Sequence, residues 1–171
     1  SLADLKEMKD HVDIEIESFV HGSMCISYSG RCLLSNYMTG NRDANRGQCS
    51  QSCRWKYSLV ESNRPGEYYP IEEDEHGTYI FNSKDLCLIH RIPDLYEAGI
   101  DSLKIEGRMK SVHYCATVAK VYRTAIDTYL KEGKDWYVRP EWIAELEKIS
   151  HRPYTDGFAE GRPDETAQNY G

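Results

Sequence analysis

Apolar residues recur at a helical spacing in three parts of the chain. Over residues 2–8 they repeat at about one turn, and Ser1 can cap the short helix that this pattern predicts. A long helix is predicted from residue 111 to residue 130, where Gly133 closes the pattern. Its apolar positions are Val112, Cys115, Ala119, Tyr122, Ile126 and Tyr129. A briefer repeat over residues 141–150 predicts one more helix.

Two other segments alternate between apolar and polar residues, which is typical of β-strands. The first covers residues 12–21 and ends at Gly22. One face of this predicted strand carries Glu15, Glu17, Phe19 and His21. The second covers residues 100–107 and has the character of a strand in a parallel sheet. Its two faces carry Leu103 and Ile105, and Lys104 and Glu106, respectively.

The chain between these strands is rich in turn-forming residues. Residues 22–57 contain four cysteines, four glycines and many serines and asparagines, which indicates a long, structured loop. The acidic segment 61–75 predicts an exposed linker or hairpin. A strand is then predicted over 78–81 and a capped helix over 84–89. Another short helix is expected from Pro93 to Gly99.

The order strand, loop, helix, strand, helix predicts an α/β fold with right-handed crossovers. The two alternating strands cannot close a sheet, so we expect part of a longer TIM-like (β/α) barrel chain. Within it we expect a barrel segment with the cysteine cluster over residues 1–133. A C-terminal helical extension and tail would follow over residues 134–171.

Composition and charge exclude some functional classes. The 171 residues are 40% hydrophobic, enough for an ordinary folded core. A net charge of −7 argues against a protein that coats nucleic acid or anionic membrane with its whole surface. No stretch approaches membrane-spanning length and no export signal is visible. We therefore expect a cytoplasmic protein with no membrane partner.

Six cysteines would suggest disulfides in a small secreted domain, but four of them cluster within residues 25–53 of a chain without an export signal. Reduced thiols, serving as metal ligands or core residues, are favoured. Converging thiolates suit an iron–sulfur cluster or zinc. Structural zinc sites use closely spaced ligand pairs, and only Cys49 and Cys53 have that spacing. Cys115 belongs to the apolar face of the long helix, which favours a packing role.

Four motifs carry a family resemblance. They are residues 21–32 (HGSMCISYSGRC), 45–54 (NRGQCSQSCR), 82–87 (NSKDLC) and 104–110 (KIEGRMK). Together they resemble the U32 peptidase family over roughly residues 12–130, which is most of the chain. Relative to full-length members, the resemblance implies the C-terminal portion of a TIM-like (β/α) barrel. The resemblance implies a [4Fe-4S] cluster, with zinc as the alternative metal. The ligands that it implies are Cys25, Cys32, Cys49 and Cys87, with Cys53 as an uncertain fifth.

The resemblance also implies a function. Family members include collagenase-like proteins, but the better-understood ones resemble oxygen-independent hydroxylation proteins that act on tRNA, ribosomal RNA or a ubiquinone precursor. We expect hydroxylation of a tRNA wobble uridine to 5-hydroxyuridine, with prephenate as a possible co-substrate. Expected partners are tRNA or rRNA, and the remaining N-terminal part of the barrel or a family paralogue. The alternatives are a peptidase and a zinc-stabilised RNA-binding module.

Candidate catalytic residues lie where the predicted strands end. His21 and Glu106 fall at carboxyl ends of strands, where α/β folds collect reactive groups, and Lys104 belongs to the same family motif. Alternatively, Lys104 forms a structural ion pair with Glu17. A peptidase would need a nucleophile and a base, for which His21 with Ser23 or Cys25 could serve. Such pairs arise often by chance, and the chain contains neither a His-Glu-x-x-His nor a Gly-x-Ser-x-Gly motif.

A local basic surface is predicted around the cysteines. Residues 31–56 contain five basic side chains against one acid, with Tyr37 and Trp55 interleaved. Arginines can hold phosphates and aromatic rings can stack unpaired bases. The candidate RNA-binding residues are Arg42, Arg46 and Arg54. Alternatively, these arginines neutralise a thiolate-rich cluster.

Overall fold

The chain forms two compact units, and the computed structural model describes most residues of each. The described residues are 1–25, 27, 31–40, 42–55, 57–60, 62–66, 69–70 and 84–161. The first unit comprises residues 1–24 and the described residues from 84 onward, and the second comprises the described residues 25–70. The strand predicted over 78–81 lies outside the described residues.

Helices and strands alternate along the described chain. The helices are α1 (Leu2–His11), α2 (Leu33–Thr39), α3 (Ile92–Glu97), α4 (Val112–Glu132) and α5 (Pro140–Glu147). The strands are β1 (Glu17–Ser23), β2 (Ser58–Leu59), β3 (Tyr69–Pro70), β4 (Asp85–Cys87), β5 (Ser102–Glu106) and β6 (Tyr154–Thr155). Short 3-10 turns occur at Ala44–Arg46, Ser52–Arg54, Ile89–Arg91 and Gly133–Asp135.

A four-stranded sheet forms the centre of the first unit, with strand order β5-β1-β4-β6. The pair β1–β5 is parallel, as is β4–β6, whereas β1–β4 is antiparallel. The chain is therefore a mixed α/β protein, and the predicted α/β class is confirmed. The barrel of the prediction is not shown, because a TIM barrel is built from parallel strands and this sheet contains an antiparallel pair.

Helices α1 and α4 form where their sequence signals predict. The Ser1 hydroxyl accepts a hydrogen bond from Asp4 N and the Asp4 carboxylate accepts one from the Ser1 amine, which caps α1. Ser111 caps α4 through Tyr114 N at 3.1 Å, and Gly133 ends it. Only the buried face of α4 is displaced from the predicted one. It consists of Tyr114, Val118, Val121, Tyr122 and Ala125.

A bulge in β1 places Phe19 and His21 on different faces, whereas the sequence predicts one shared face. Phe19 pairs with Lys104 and His21 with Ile105, so Val20 is one extra residue in β1. The extra residue breaks the two-residue alternation. Phe19 is therefore exposed while His21 is completely buried. Glu15 precedes the strand, and the prediction that His21 shares a face with Glu17 and Phe19 is wrong.

The predicted helix over residues 84–89 is wrong as well. Residues 85–87 form β4, which pairs with β1 on one side and β6 on the other. A short apolar run fits either a helix or a buried strand, and the two neighbouring strands supply backbone partners that stabilise the strand. A 3-10 turn at Ile89–Arg91 leads from β4 into α3.

The hydrophobic core of the first unit lies between the sheet and the helices. Val20, Leu95, Val118 and Leu146 are at most 1% exposed, and they come from β1, α3, α4 and α5. Replacing a leucine buried to this degree by alanine typically costs about 2–5 kcal/mol. The part of the chain after residue 133 contributes α5 to this core and β6 to the sheet.

The second unit is organised differently. Helix α2 and two 3-10 turns order the cysteine-rich segment, and β2 and β3 form an antiparallel ribbon on either side of residues 62–66. This pairing agrees with the hairpin alternative for segment 61–75, of which residues 61, 67–68 and 71–75 lie outside the described residues. Among its described side chains, the buried ones are the serines at 35, 50 and 52. In the described parts of both units, no helix combines the length and apolar character needed to cross a membrane.

Candidate functional site

Three cysteine thiols of the second unit lie close enough to Cys53 to affect its pKa. The pKa of the Cys53 thiol is raised, chiefly by burial, and the thiols of Cys49, Cys25 and Cys32 raise it further. Arg54 acts in the opposite direction. All six cysteines of the chain belong to the described residues and are free of disulfide bonds. The fold therefore gathers into one neighbourhood thiols that are 28 residues apart in sequence at most.

Backbone N–H groups donate to two of these sulfurs. Cys32 caps α2, where its Sγ accepts from Ser35 N at 3.4 Å, and Cys49 Sγ accepts from Gln51 N at 3.3 Å. Gln51 has a φ of 54°, a strained value for a residue other than glycine. Hydrogen bonds to sulfur stabilise thiolates and tune the potential of iron–sulfur clusters.

A chain of buried serines holds this segment together. Ser50 N donates to Ser35 Oγ at 3.0 Å, the hydroxyls of Ser35 and Ser50 lie 3.0 Å apart, and Ser50 Oγ donates to Ser52 Oγ at 3.3 Å. This chain joins α2, which Cys32 begins, to the 3-10 turn that contains Cys53. Hydrogen bonds of this kind contribute only about 1 kcal/mol each, so a bound group would add much to the order of the unit.

The remaining two cysteines belong to the first unit. Cys87 ends β4 and is 5% exposed, and burial raises the pKa of its thiol. Cys115 packs against the core and its thiol donates to Gly107 O at 3.5 Å, which confirms its predicted packing role. A Cβ at Gly107 would lie 2.6 Å from the Cys115 sulfur, so a larger residue there would displace this thiol.

The donor chemistry of the cysteines fits an iron–sulfur cluster, whereas the part of the chain that the structure describes shows no assembled metal site. Among the described residues, no three His, Cys, Asp or Glu side chains are arranged to hold a metal ion. The thiols are nevertheless free, soft and in part supplied with N–H donors. The ligand set Cys25, Cys32, Cys49 and Cys87, with Cys53 as the fifth, stays a prediction.

Polar side chains are buried together beneath the sheet of the first unit. His21 and Ser23 of β1 are directly opposite Cys87 and Asp85 of β4, so all four side chains share one face. Asp85 is completely buried, accepts from Arg152 N at 3.2 Å, and lies 3.7 Å from the ammonium of Lys110. We call these four residues, with the tyrosines of α4 and β6 around His21, the buried polar face, although Ser23 and Tyr154 are only partly buried.

His21 is held neutral in this face. Burial lowers its pKa from 6.5 to about 4, His151 and Lys110 lower it too, and Asp85 opposes them. Within the described part of the chain, His21 Nε2 and Ser23 Oγ are buried without a hydrogen-bond partner. The His21–Ser23 dyad that a peptidase would use is therefore not formed.

The other two candidate catalytic residues lie on a different face. Lys104 is half exposed, donates to Glu17 at 2.6 Å, and lies 5.2 Å from the centre of the Phe19 ring. The alternative prediction, an ion pair between Lys104 and Glu17, is therefore formed, although both side chains are half exposed. The Glu106 carboxylate accepts from Arg108 N at 3.1 Å. His21 and Glu106 do fall at the same end of the parallel pair β1–β5, as predicted.

The close approach of β1 and β5 depends on a glycine. Gly22 has a φ of +116°, and a Cβ there would lie 2.2 Å from Glu106 O. The backbone of β5 therefore leaves no room for a side chain at position 22 of β1.

The candidate RNA-binding residues differ in their surroundings. Arg42 is exposed, and Arg46 is exposed with its Nε 3.6 Å from the Asp43 carboxylate. Arg54 is half buried near the Cys53 thiol, which agrees with the alternative of charge neutralisation for this one residue. Tyr37 is 85% and Trp55 is 46% exposed, so both rings are accessible for stacking.

Sequence reasoning missed several residues of these sites. The position of Asp85 beside His21 was not predicted, because residues 84–89 predict a helix and a helix does not align these two residues. Lys110 stood inside the KIEGRMK motif without an assigned role. The buried serines had a signal only in the high serine content of residues 22–57.

The fold and these sites define a mixed α/β protein with a cysteine-rich insertion between β1 and β4. The chain belongs to peptidase family U32, whose sequence model matches residues 1–169. It is 50% identical over its whole length to "tRNA hydroxylation protein P1" of Bacillus subtilis and 40% identical over 99% of its length to "tRNA hydroxylation protein P" of Escherichia coli. It is 36% identical over 92% of its length to a "Collagenase" of Porphyromonas gingivalis.

These relatives are longer than the chain. The alignments cover 40% of the Bacillus protein, 46% of the Escherichia protein and 42% of the Porphyromonas protein. The chain therefore spans less than half the length of each of these relatives. No solved structure matches it.

Proposed function

We propose that this chain is a segment of a tRNA hydroxylation enzyme that converts a wobble uridine to 5-hydroxyuridine. The observation that carries the proposal is the 50% identity, over the entire chain, to a relative named for tRNA hydroxylation. Identity of this extent covers both the buried polar face and the cysteine-rich unit. Ribosomal RNA is the alternative substrate.

The proposal includes a [4Fe-4S] cluster held by Cys25, Cys32, Cys49 and Cys87. It is supported by free thiols, by N–H donors to two sulfurs and by a second unit whose described buried side chains are serines. When bound, such a cluster supplies electron transfer or a Lewis-acidic iron. Prephenate is proposed as the co-substrate on the family resemblance alone.

Other residues of the chain are proposed to act in catalysis and in RNA binding. His21, which is neutral and completely buried, and the more exposed Lys104 and Glu106 are the proposed catalytic residues at the same end of the sheet. Arg42 and Arg46 present exposed positive charge for phosphates. The exposed rings of the second unit would stack unpaired bases.

Nucleoside mass spectrometry tests the proposed reaction. A strain that lacks the full-length protein and any paralogue should contain no 5-hydroxyuridine in its tRNA, and the wild-type gene should restore it. Unchanged 5-hydroxyuridine in the deletion strain would refute the tRNA assignment. A missing hydroxylated cytidine in ribosomal RNA of that strain would then identify rRNA as the substrate.

A peptidase is the second candidate, and the relative named Collagenase favours it. The buried polar face argues against it, since Ser23 Oγ and His21 Nε2 are not hydrogen-bonded. Full-length protein should therefore leave gelatin intact. Gelatin cleavage that disappears in Ser23→Ala, while Ser27→Ala retains it, would establish the peptidase instead.

A further inference from the structure

The hydroxyl of Tyr122 meets three polar groups at hydrogen-bonding distance inside the buried polar face. Its Oη lies 2.9 Å from Val20 O, 3.1 Å from Leu88 N and 3.4 Å from His21 Nδ1. The Cys87 sulfur is farther away, at 3.9 Å. Tyr122 is itself buried in the middle of α4, so this arrangement is sheltered from water.

A tyrosine hydroxyl has one proton, and the distances decide which group receives it. Val20 O can only accept, and it is the nearest of the acceptors. The Cys87 sulfur lies at the outer limit for a hydrogen bond. Leu88 N can only donate, and it divides its proton between Val20 O and Tyr122 Oη. The tyrosine proton therefore points to Val20 O, and Oη is left as an acceptor.

This assignment fixes the tautomer of His21. If the Tyr122 proton is used on Val20 O, His21 Nδ1 can bond to Oη only as an N–H donor. A neutral imidazole carries one N–H, so Nε2 then has a free lone pair. Nε2 is buried, and the described residues give it no partner.

We propose that Tyr122 is a positioning residue that locks His21 in the Nδ1–H tautomer and aims an unprotonated Nε2 into the buried polar face. The rings of Tyr114 and Tyr154, centred 6.0 and 5.3 Å from the imidazole, restrict its rotation. The vacant lone pair would accept a hydrogen bond from an N–H or O–H group that enters the buried polar face. The role rests on the proposed function, whereas the tautomer does not.

Nitrogen NMR of the full-length protein labelled with 15N-histidine tests the tautomer directly. At neutral pH, the long-range proton–nitrogen correlations of His21 should show a protonated Nδ1 and an unprotonated Nε2. His21→Asn identifies the signals by their loss. Protonation at Nε2 in the wild-type protein would overturn the proposal, whether or not any variant folds.

Tyr122→Phe tests the positioning role. Losing a neutral hydrogen bond should shift the tautomer ratio of His21 roughly fivefold toward Nε2–H. Tyr129→Phe removes a hydroxyl from the same helix, beside Trp136 and Tyr96 rather than His21, and should leave the ratio unchanged. An unchanged ratio in folded Tyr122→Phe would refute the role. Normal hydroxylation in that variant despite an altered ratio would refute only the link to function.

Discussion

Acid should destabilise this protein through His21. Its pKa is about 4 when folded and 6.5 in an unfolded chain, so the unfolded state takes up a proton first as the pH falls. The stability that the neutral, buried ring contributes is therefore complete above about pH 6.5 and is lost as the pH falls toward 4. The charged groups in its surroundings are Asp85, Lys110 and His151, and their effects are smaller than that of burial.

The size of the effect follows from the two pKa values of His21. Their difference of 2.5 units corresponds to about 3 kcal/mol when protonation is complete in both states. Between about pH 7 and pH 5, roughly 2 kcal/mol of this is lost. That is a large part of the stability of an ordinary domain.

Urea unfolding at the two pH values measures this loss. Wild-type protein should lose about 2 kcal/mol more on acidification than His21→Asn, because the asparagine cannot titrate. His113→Asn removes an exposed histidine from α4 and should retain the wild-type pH dependence. If the free energy of unfolding depends equally on pH in the wild type and in His21→Asn, the account of a buried, neutral His21 is refuted.

Other predictions concern the backbone, the thiols and the arginines. Gly22→Ala should cost on the order of 3 kcal/mol or more in urea unfolding, since its φ is unsuitable and its Cβ would overlap Glu106 O; a loss below about 1 kcal/mol would contradict this. Full-length protein purified without oxygen should contain about four iron and four sulfide per chain. Cys87→Ser should lose them and Cys115→Ser should keep them, whereas one zinc per chain would identify a zinc module. Binding of tRNA should weaken and depend less on salt, with cluster content unchanged, when alanine replaces Arg42, Arg46 and Arg54.

Helices α1 and α4 could be predicted because their signals are local. Ser1, Ser111 and Gly133 mark helix ends by hydrogen bonds to residues within a few positions. A regular apolar repeat then makes α4 recognisable without knowledge of the rest of the fold. The parallel strand β5 was predictable for the same reason.

The buried polar face could not be predicted, because it depends on pairing between distant segments. The extra residue Val20 in β1 has no sequence signal, yet it turns His21 from the exposed face to the buried one. Asp85 faces His21 only because β4 pairs antiparallel with β1. Tertiary pairing of this kind overrides the local propensity of a short segment.

The most direct test of the proposed function combines the reaction with the thiols of the candidate site. A strain that lacks the full-length protein and any paralogue is complemented with Cys87→Ser or with Cys115→Ser, and the nucleosides of its tRNA are analysed by mass spectrometry. The account predicts that 5-hydroxyuridine is absent with Cys87→Ser and present with Cys115→Ser at equal protein levels. Wild-type amounts of 5-hydroxyuridine with Cys87→Ser would contradict it.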